Sequence, residues 1–409
     1  MRKFLSGLAA LMATTALMAP VPARAGTNAW TALPSPTGSA LINVISAQPG
    51  IALTRYAATQ SGMYISRNGG QSWQLSNSGI VPTPAGYYIV NDLAITSTSL
   101  YIAPNFLQKS SDGGNSWVTT GWVTENPQAL VLAVHPGNPN TVYAGSNQGV
   151  YKSSDGAVTW KYLAGNSPVY ALTVDPGNPA VIFRAVASGI YRSTDAGLSW
   201  SQVSTQLTSV RTLVVDPGHS MTVYAGTNGS GVYKSIDGGS SWQPINRCLP
   251  AGQCAPLTLD RTWIKNIIVD AGTVYLGATE GLFKSVDGGA SWTQANNGPI
   301  GVSAMMLDPL NANTVIAAYG NQLYSYTFSA ASDADRIFNW AEASYPQYFA
   351  PAGAPTQLIS GYQARYYSAT QNYVGTLDGQ VYVHGAVFGG LLYVGTTAQL
   401  LPLALAAGY

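Results

Sequence analysis

Gly231-Val-Tyr-Lys-Ser-Ile-Asp-Gly-Gly-Ser-Ser-Trp242 decides how this chain folds, because the stretch recurs. Residues 281–292 read GLFKSVDGGASW, 189–200 read GIYRSTDAGLSW, 149–160 read GVYKSSDGAVTW and 62–73 read GMYISRNGGQSW. A sixth copy closes on KSSDGGNSW at Trp117. The common core is Ser-x-Asp-x-Gly-x-(Ser/Thr)-Trp, with Asn68 replacing the Asp in one copy. The tryptophans at 73, 117, 160, 200, 242 and 292 are spaced by 40 to 50 residues, the period of propeller blades.

Each residue type has a physical task. The Gly-Val-Tyr-Lys run alternates like a short strand. The Asp-Gly-Gly cluster ends it in a tight turn, since Gly accepts positive φ and Asp can bond the amides of its own turn. The Trp opens the next strand with a large apolar surface. The motif resembles the Asp-box, also called the BNR or sialidase repeat, over residues 30 to 327.

A second unit precedes most of these boxes: LAVHPGNPNTVYAGS at 132–146, LTVDPGNPAVIFRAV at 172–186, LVVDPGHSMTVYAGT at 213–227, IIVDAGTVYLGAT at 267–279 and MMLDPLNANTVIAAY at 305–319. Weaker copies start near Val44 and Leu93, making seven strand-turn-strand units. Each blade therefore reads as four strands. The seventh unit, 302–327, lacks a box and a Trp, and the N-terminal Ala29-Trp30-Thr-Ala-Leu33 supplies the missing strand. Closure of this kind leaves no long open sheet edge. The fold predicted is all-β: a seven-bladed β-propeller over 26–330, closed by the N-terminal strand, with a small C-terminal α+β module over 331–409.

In that module Ser332 caps an apolar-periodic run to Glu342, which predicts a helix that Tyr345-Pro346 ends. Strands follow near Ala364–Tyr367, Tyr373–Thr376, Val381–His384 and Leu391–Gly395, with a hairpin signal at Leu377-Asp378-Gly379. The pattern is similar to a C-terminal module of other secreted bacterial proteins.

Residues 1–25 read as a signal peptide: basic Arg2 and Lys3, an apolar run, then Ala23-Arg24-Ala25. The run is too short for a membrane span. Secretion or delivery to the periplasm, with cleavage near Ala25, is expected. Removing Arg2, Lys3 and Arg24 leaves 15 basic residues against 17 acidic ones, a net charge of −2. That argues against a nucleic-acid partner. The two cysteines, Cys248 and Cys254, read as one disulfide closing a short loop. Neither a metal nor another cofactor is expected, and the chain is read as a monomer.

Propeller connectivity puts the boxes and the Asp-Pro-Gly turns on one face. Asp112, Asp155, Asp195, Asp237 and Asp287 are therefore read as turn formers, with Asp175, Asp216, Asp270 and Asp308 beside them. The opposite face holds the blade crossovers. There Tyr88, Trp122, Tyr170, Arg211, Arg247, Arg261, Trp263 and Lys265 are candidate ligand-binding residues. Loops on a rigid scaffold commonly carry function, and aromatic surfaces with a few polar groups suit a protein or polysaccharide ligand.

The repeat resemblance extends to the photosystem II assembly factor family, whose propellers are non-enzymatic scaffolds, and to xyloglucan-type endoglucanases. It implies either a binding or scaffold propeller, the preferred reading, or a glycoside hydrolase. The hydrolase alternative needs two carboxylates, and Asp260 with Glu280 form the best pair, Asp92 being a third candidate. A sialidase is disfavoured, since no Arg-Ile-Pro stretch opens the domain.

Overall fold

The strand Trp30–Leu33 pairs antiparallel with Gln322–Thr327, so the start of the described chain closes its last blade. Trp30 lies opposite Tyr326 in that pairing, and its ring meets Tyr319 edge-on at 5.3 Å. This computed structural model describes residues 30–36, 40–104, 106–122, 127–246, 259–270, 272–290, 292–295 and 298–328, then strand segments between 356 and 396 and Leu400. The expected signal peptide, the helix at 332–342, Arg247 and both cysteines lie outside the described residues.

Seven four-stranded antiparallel sheets form the blades. Blade 1 runs Ile42–Ala47, Arg55–Thr59, Gly62–Ser66 and Gln74–Leu75, in that order across the sheet. Blades 2 to 6 repeat this order from Leu93, Ala129, Ala171, Val210 and Ile264. Blade 7 takes three strands from 302–327 and its fourth from the N-terminus. The first strand of each blade is the inner one, and the cores lie between successive blades. Blade 4's Phe183 and Ala185 pack with blade 5's Leu213 and Val223, for example, in one buried cluster. Alternation of small and large residues permits this approach. A Cβ on Gly226 of blade 5 would stand 2.7 Å from Ile264 of blade 6.

The box turns are built as their residue types require. In blade 5, Ser235 Oγ donates to Asp237 Oδ1 at 2.8 Å and accepts the Gly239 amide at 2.8 Å. Asp237 then accepts the Ser241 amide at 2.8 Å and its hydroxyl at 2.6 Å. Asp112, Asp155 and Asp195 repeat this arrangement, and Asp287 accepts the matching bond from Ser285. Asn68 keeps it with one bond reversed, donating Nδ2 to Ser72 Oγ at 2.8 Å. Four of the six boxes also anchor to the first turn of their own blade. Gly69, Gly156, Ala196 and Gly238 donate to Leu53, Asn140, Ala180 and Met221. The shared face is thus held by backbone hydrogen bonds.

Described by itself, the C-terminal unit is a five-stranded antiparallel sheet of Thr356–Ile359, Tyr362–Tyr367, Asn372–Leu377, Gln380–Gly385 and Gly390–Thr396. The first of these strands has no counterpart in the sequence reading. The chain divides into two compact units after Phe328.

Candidate functional site

The inner strands start on the face opposite the boxes. Four of the sequence-selected residues gather where blades 4, 5 and 6 begin. Tyr170 directly precedes the inner strand of blade 4, and Arg211 is the second residue of that of blade 5. The Arg211 guanidinium carbon stands 4.2 Å from the Tyr170 ring centroid. Trp263 and Lys265 flank Ile264, the first residue of blade 6's inner strand, and the Lys265 ammonium lies 5.0 Å from the Trp263 ring centroid. Trp263 is 38% exposed. Stacking of this kind orders a long cationic side chain and leaves its remaining donors free to act. Arg261 is exposed in the short 3-10 turn Leu259–Arg261, and Tyr88 is half-buried against blades 1 and 2. The neighbouring Tyr87 is 62% exposed.

Trp122 requires a correction. It is 2% exposed, and its indole N–H donates to the Pro127 carbonyl at 3.1 Å. Its ring packs edge-on against Tyr151 and Trp160, at 5.0 and 5.1 Å. The crossover folds this residue into blade 3's own aromatic cluster, which removes it from any ligand. Sequence position alone could not show that, because an aromatic residue in a loop serves equally as an anchor or a platform.

The three hydrolase candidates have different hydrogen-bond partners, although the segments of Asp260 and Glu280 meet where the Trp263 amide donates to Thr279 Oγ1 at 3.4 Å. Asp260 accepts Asn246 Nδ2 at 2.7 Å, and Asn246 Oδ1 in turn accepts the Val232 amide at 2.8 Å. Asp260 is therefore tied to blade 5. Glu280 sits in the two-residue turn of blade 6 and accepts the Thr279 hydroxyl at 2.7 Å. No hydrogen-bonding group is shared by Asp260 and Glu280 among the described residues. Asp92 accepts the amides of Leu93 at 2.8 Å and Leu132 at 2.7 Å, so its two oxygens brace blade 2 to blade 3. Burial pushes its carboxyl up to about 6, against the pull of those two amides. This is a carboxylate used as a structural bridge.

On the box face the carboxylates are consumed by their own turns. Hydroxyl donors Thr159, Ser199 and Ser241 hold Asp155, Asp195 and Asp237 down to about 2, and Ser116 holds Asp112 well below the usual carboxylate range. That face also carries a cavity of about 360 Å³ between blades 1 and 2, whose lining includes Thr54, Tyr56, Arg67, Ser99 and Asp112. Sequence reasoning assigned no ligand-binding residue there, reading Asp112 as a turn former. Its lining comes from turns of two blades, which no local motif signals.

Among the described residues no group of three His, Cys, Asp or Glu side chains is placed to hold a metal ion. Among them, too, no helix is long and apolar enough to cross a membrane.

A BNR/Asp-box repeat family model matches residues 64–75. No curated protein matches the chain in sequence. Solved structures similar to it include YCF48 bound to D1 peptide, at 16% identity and a TM-score of 0.56, covering 75% of this chain and 98% of that one. YCF48 from Cyanidioschyzon merolae matches at 13% identity and 0.55, covering 73% and 98%. The GH74 xyloglucanase from Xanthomonas campestris matches at 18% identity and 0.56, covering 73% of this chain and 53% of its own, so the present chain spans about half its length. Likeness at such identities concerns the fold alone. The chain folds as a seven-bladed β-propeller, and its residues 64–75 match the BNR/Asp-box repeat.

Proposed function

We propose that this propeller is an exported, monomeric binding or scaffold module that takes a protein or glycan on the face opposite its Asp-boxes, without turning it over. One observation carries this reading. Tyr170–Arg211 and Trp263–Lys265 form two adjacent cation–aromatic pairs at the start of blades 4 to 6. Meanwhile Asp260 and Glu280 are each held by a different local partner. Ordered flat rings and cations make a recognition surface. A glycosidase needs two carboxyl groups flanking one bond.

The similar structures include a protein titled as bound to a peptide and one titled as a xyloglucanase, so both ligand classes enter the test. The chain is immobilised and challenged with xyloglucan, pectin, peptidoglycan and a soluble envelope-protein extract. Retention of one of these, lost in an Arg211→Ala/Trp263→Ala double variant, supports the reading. Retention that survives this double variant contradicts it.

A further inference from the structure

The inner strands share an irregularity outside the repeat fingerprint. In blades 1, 3, 5, 6 and 7 the pairing to the second strand skips one residue right after the strand begins. The skipped residues are Asn43, Leu130, Arg211, Lys265 and Ser303. Blades 2 and 4 place Asn91 and Tyr170 at the equivalent point, ahead of the strand, with their amides donating to the Ala103 and Ala185 carbonyls. All seven are half-exposed, whereas the residue before each of them is buried. A bulge re-aims a side chain that the ladder would otherwise fix, and bulges are common beside functional sites. Five bulges and two residues ahead of their strands thus put one half-exposed residue per blade where the inner strands begin, which we take as the mouth of the central channel.

The ring is chemically lopsided. Blades 4 to 6 contribute Tyr170, Arg211 and Lys265, whereas blades 7, 1 and 2 contribute Ser303, Asn43 and Asn91. Arg211 and Lys265 stand at the same register on neighbouring inner strands. Neither has an ion-pair partner among the described residues, and Arg211 Nε is buried without a hydrogen bond. The carboxylates selected on this face are engaged elsewhere: Asp260 with Asn246, Glu280 with Thr279, and Asp92, at blades 2 and 3, with two amides. A half-buried guanidinium without a counter-charge favours an incoming anion, and its planar fork suits a carboxylate. Across the ring, Asn43 already donates to the Val90 carbonyl and Ser303 to the Ala318 carbonyl. Their oxygens are left as acceptors for ligand hydroxyls.

We propose that the channel mouth is a subsite for an acidic glycan, with a uronate carboxylate between Arg211 and Lys265 and sugar hydroxyls on Asn43 and Ser303. The proposal rests on the face assignment made above and names the ligand's chemistry. Hydroxyl acceptors opposite a cation pair, with Leu130 the one aliphatic member of the ring, suit a sugar acid better than a peptide's apolar side chains.

Calorimetric titration of the full chain with a galacturonic acid oligomer, the neutral galactose oligomer of equal length and an oligo-aspartate peptide tests this. The acidic oligomer is expected to bind about tenfold or more tightly than the neutral one, the ratio a single good charge-assisted contact provides. Arg211→Gln and Lys265→Gln should each weaken it by a similar factor. Arg211→Lys should restore part of the loss, and Lys152→Gln, on the third strand of blade 3, should leave it unchanged. Melting temperatures identify any variant that fails to fold, and Arg211→Lys then carries the test. Equal binding of acidic and neutral oligomers, lost on Trp263→Ala, would overturn the carboxylate subsite and leave the face assignment standing. Binding of the peptide alone would overturn the glycan, as would binding insensitive to both cations. No binding of any probe would overturn the proposal as well, with the face assignment judged separately by polysaccharide and protein retention.

Discussion

The Arg55 guanidinium of blade 1 meets the Asp308 carboxylate of blade 7 at 2.9 Å, with 4% and 11% of the two side chains exposed. This ion pair ties blade 1 to blade 7, the blade that the N-terminal strand completes. Burial lowers the Arg55 pKa, and Asp308 opposes that by charge and hydrogen bond. Removing one partner strands the other, so Arg55→Ala or Asp308→Ala is expected to cost roughly 3 kcal/mol. The Asp308 change also loses the bond from the Leu310 amide. The double variant should cost clearly less than the sum of the two, which a double-mutant cycle by urea unfolding checks.

Acid should loosen the box turns. Asp155, Asp195 and Asp237 have folded-state pKa values near 2, below the ordinary 3.8. The unfolded chain therefore binds more protons between about pH 4 and pH 2, and the stability these groups contribute is present above that window and lost as pH falls through it. Melting temperature should drop there. Because the boxes are exposed to solvent, high salt should blunt only the part that is long-range charge. Asp237→Ala should lower stability by about 1 to 2 kcal/mol through its lost hydrogen bonds. Asp237→Asn should cost less, as Asn68 shows that an amide can hold the same turn.

Asp92 should give the opposite slope. Its pKa is raised to about 6, so the folded protein holds a proton that the unfolded chain has released between roughly pH 4 and pH 6. Its contribution to stability therefore falls as pH rises through that window. Asp92→Asn should flatten this part of the profile while losing one of the two amide bonds, because Nδ2 cannot accept. Melting curves of parent and variant at pH 4, 5, 6 and 7 compare the two.

Two alanines occupy box positions that are Gly in other copies, Ala157 at φ 73° and Ala196 at φ 57°. Such left-handed backbone costs an L-residue about 1 to 2 kcal/mol, partly offset by the entropy that Gly loses on folding. Ala196 is half-buried, so Ala196→Gly should stabilise the protein by roughly 0.5 kcal/mol. Ala157 is 1% exposed and its methyl contributes to the core, so Ala157→Gly should be close to neutral. Denaturant midpoints distinguish the two.

The blades were legible because each box is a complete local device. Ser235, Asp237, Gly239, Ser241 and Trp242 fit together within one turn, so spacing in sequence maps onto geometry. The closing strand was legible for a related reason, since Trp30 supplies what the seventh unit lacks. The candidate site was legible only in part. Tyr170 and Arg211 are 41 positions apart in sequence and meet through blade-to-blade packing, which no short motif encodes. Trp122 reads like a surface aromatic until the fold of its crossover buries it. The bulge that sets Arg211 and Lys265 at the channel mouth appears only once the strands are paired.

The central claim is binding without turnover on the face opposite the boxes. Reducing-sugar release from xyloglucan, pectin and peptidoglycan, measured beside retention for the parent and an Asp260→Asn/Glu280→Gln double variant, tests it most directly. The account predicts no release by either protein and retention of a ligand by both. Release by the parent that disappears in the variant would contradict it and assign those two carboxylates the acid and base roles of a hydrolase.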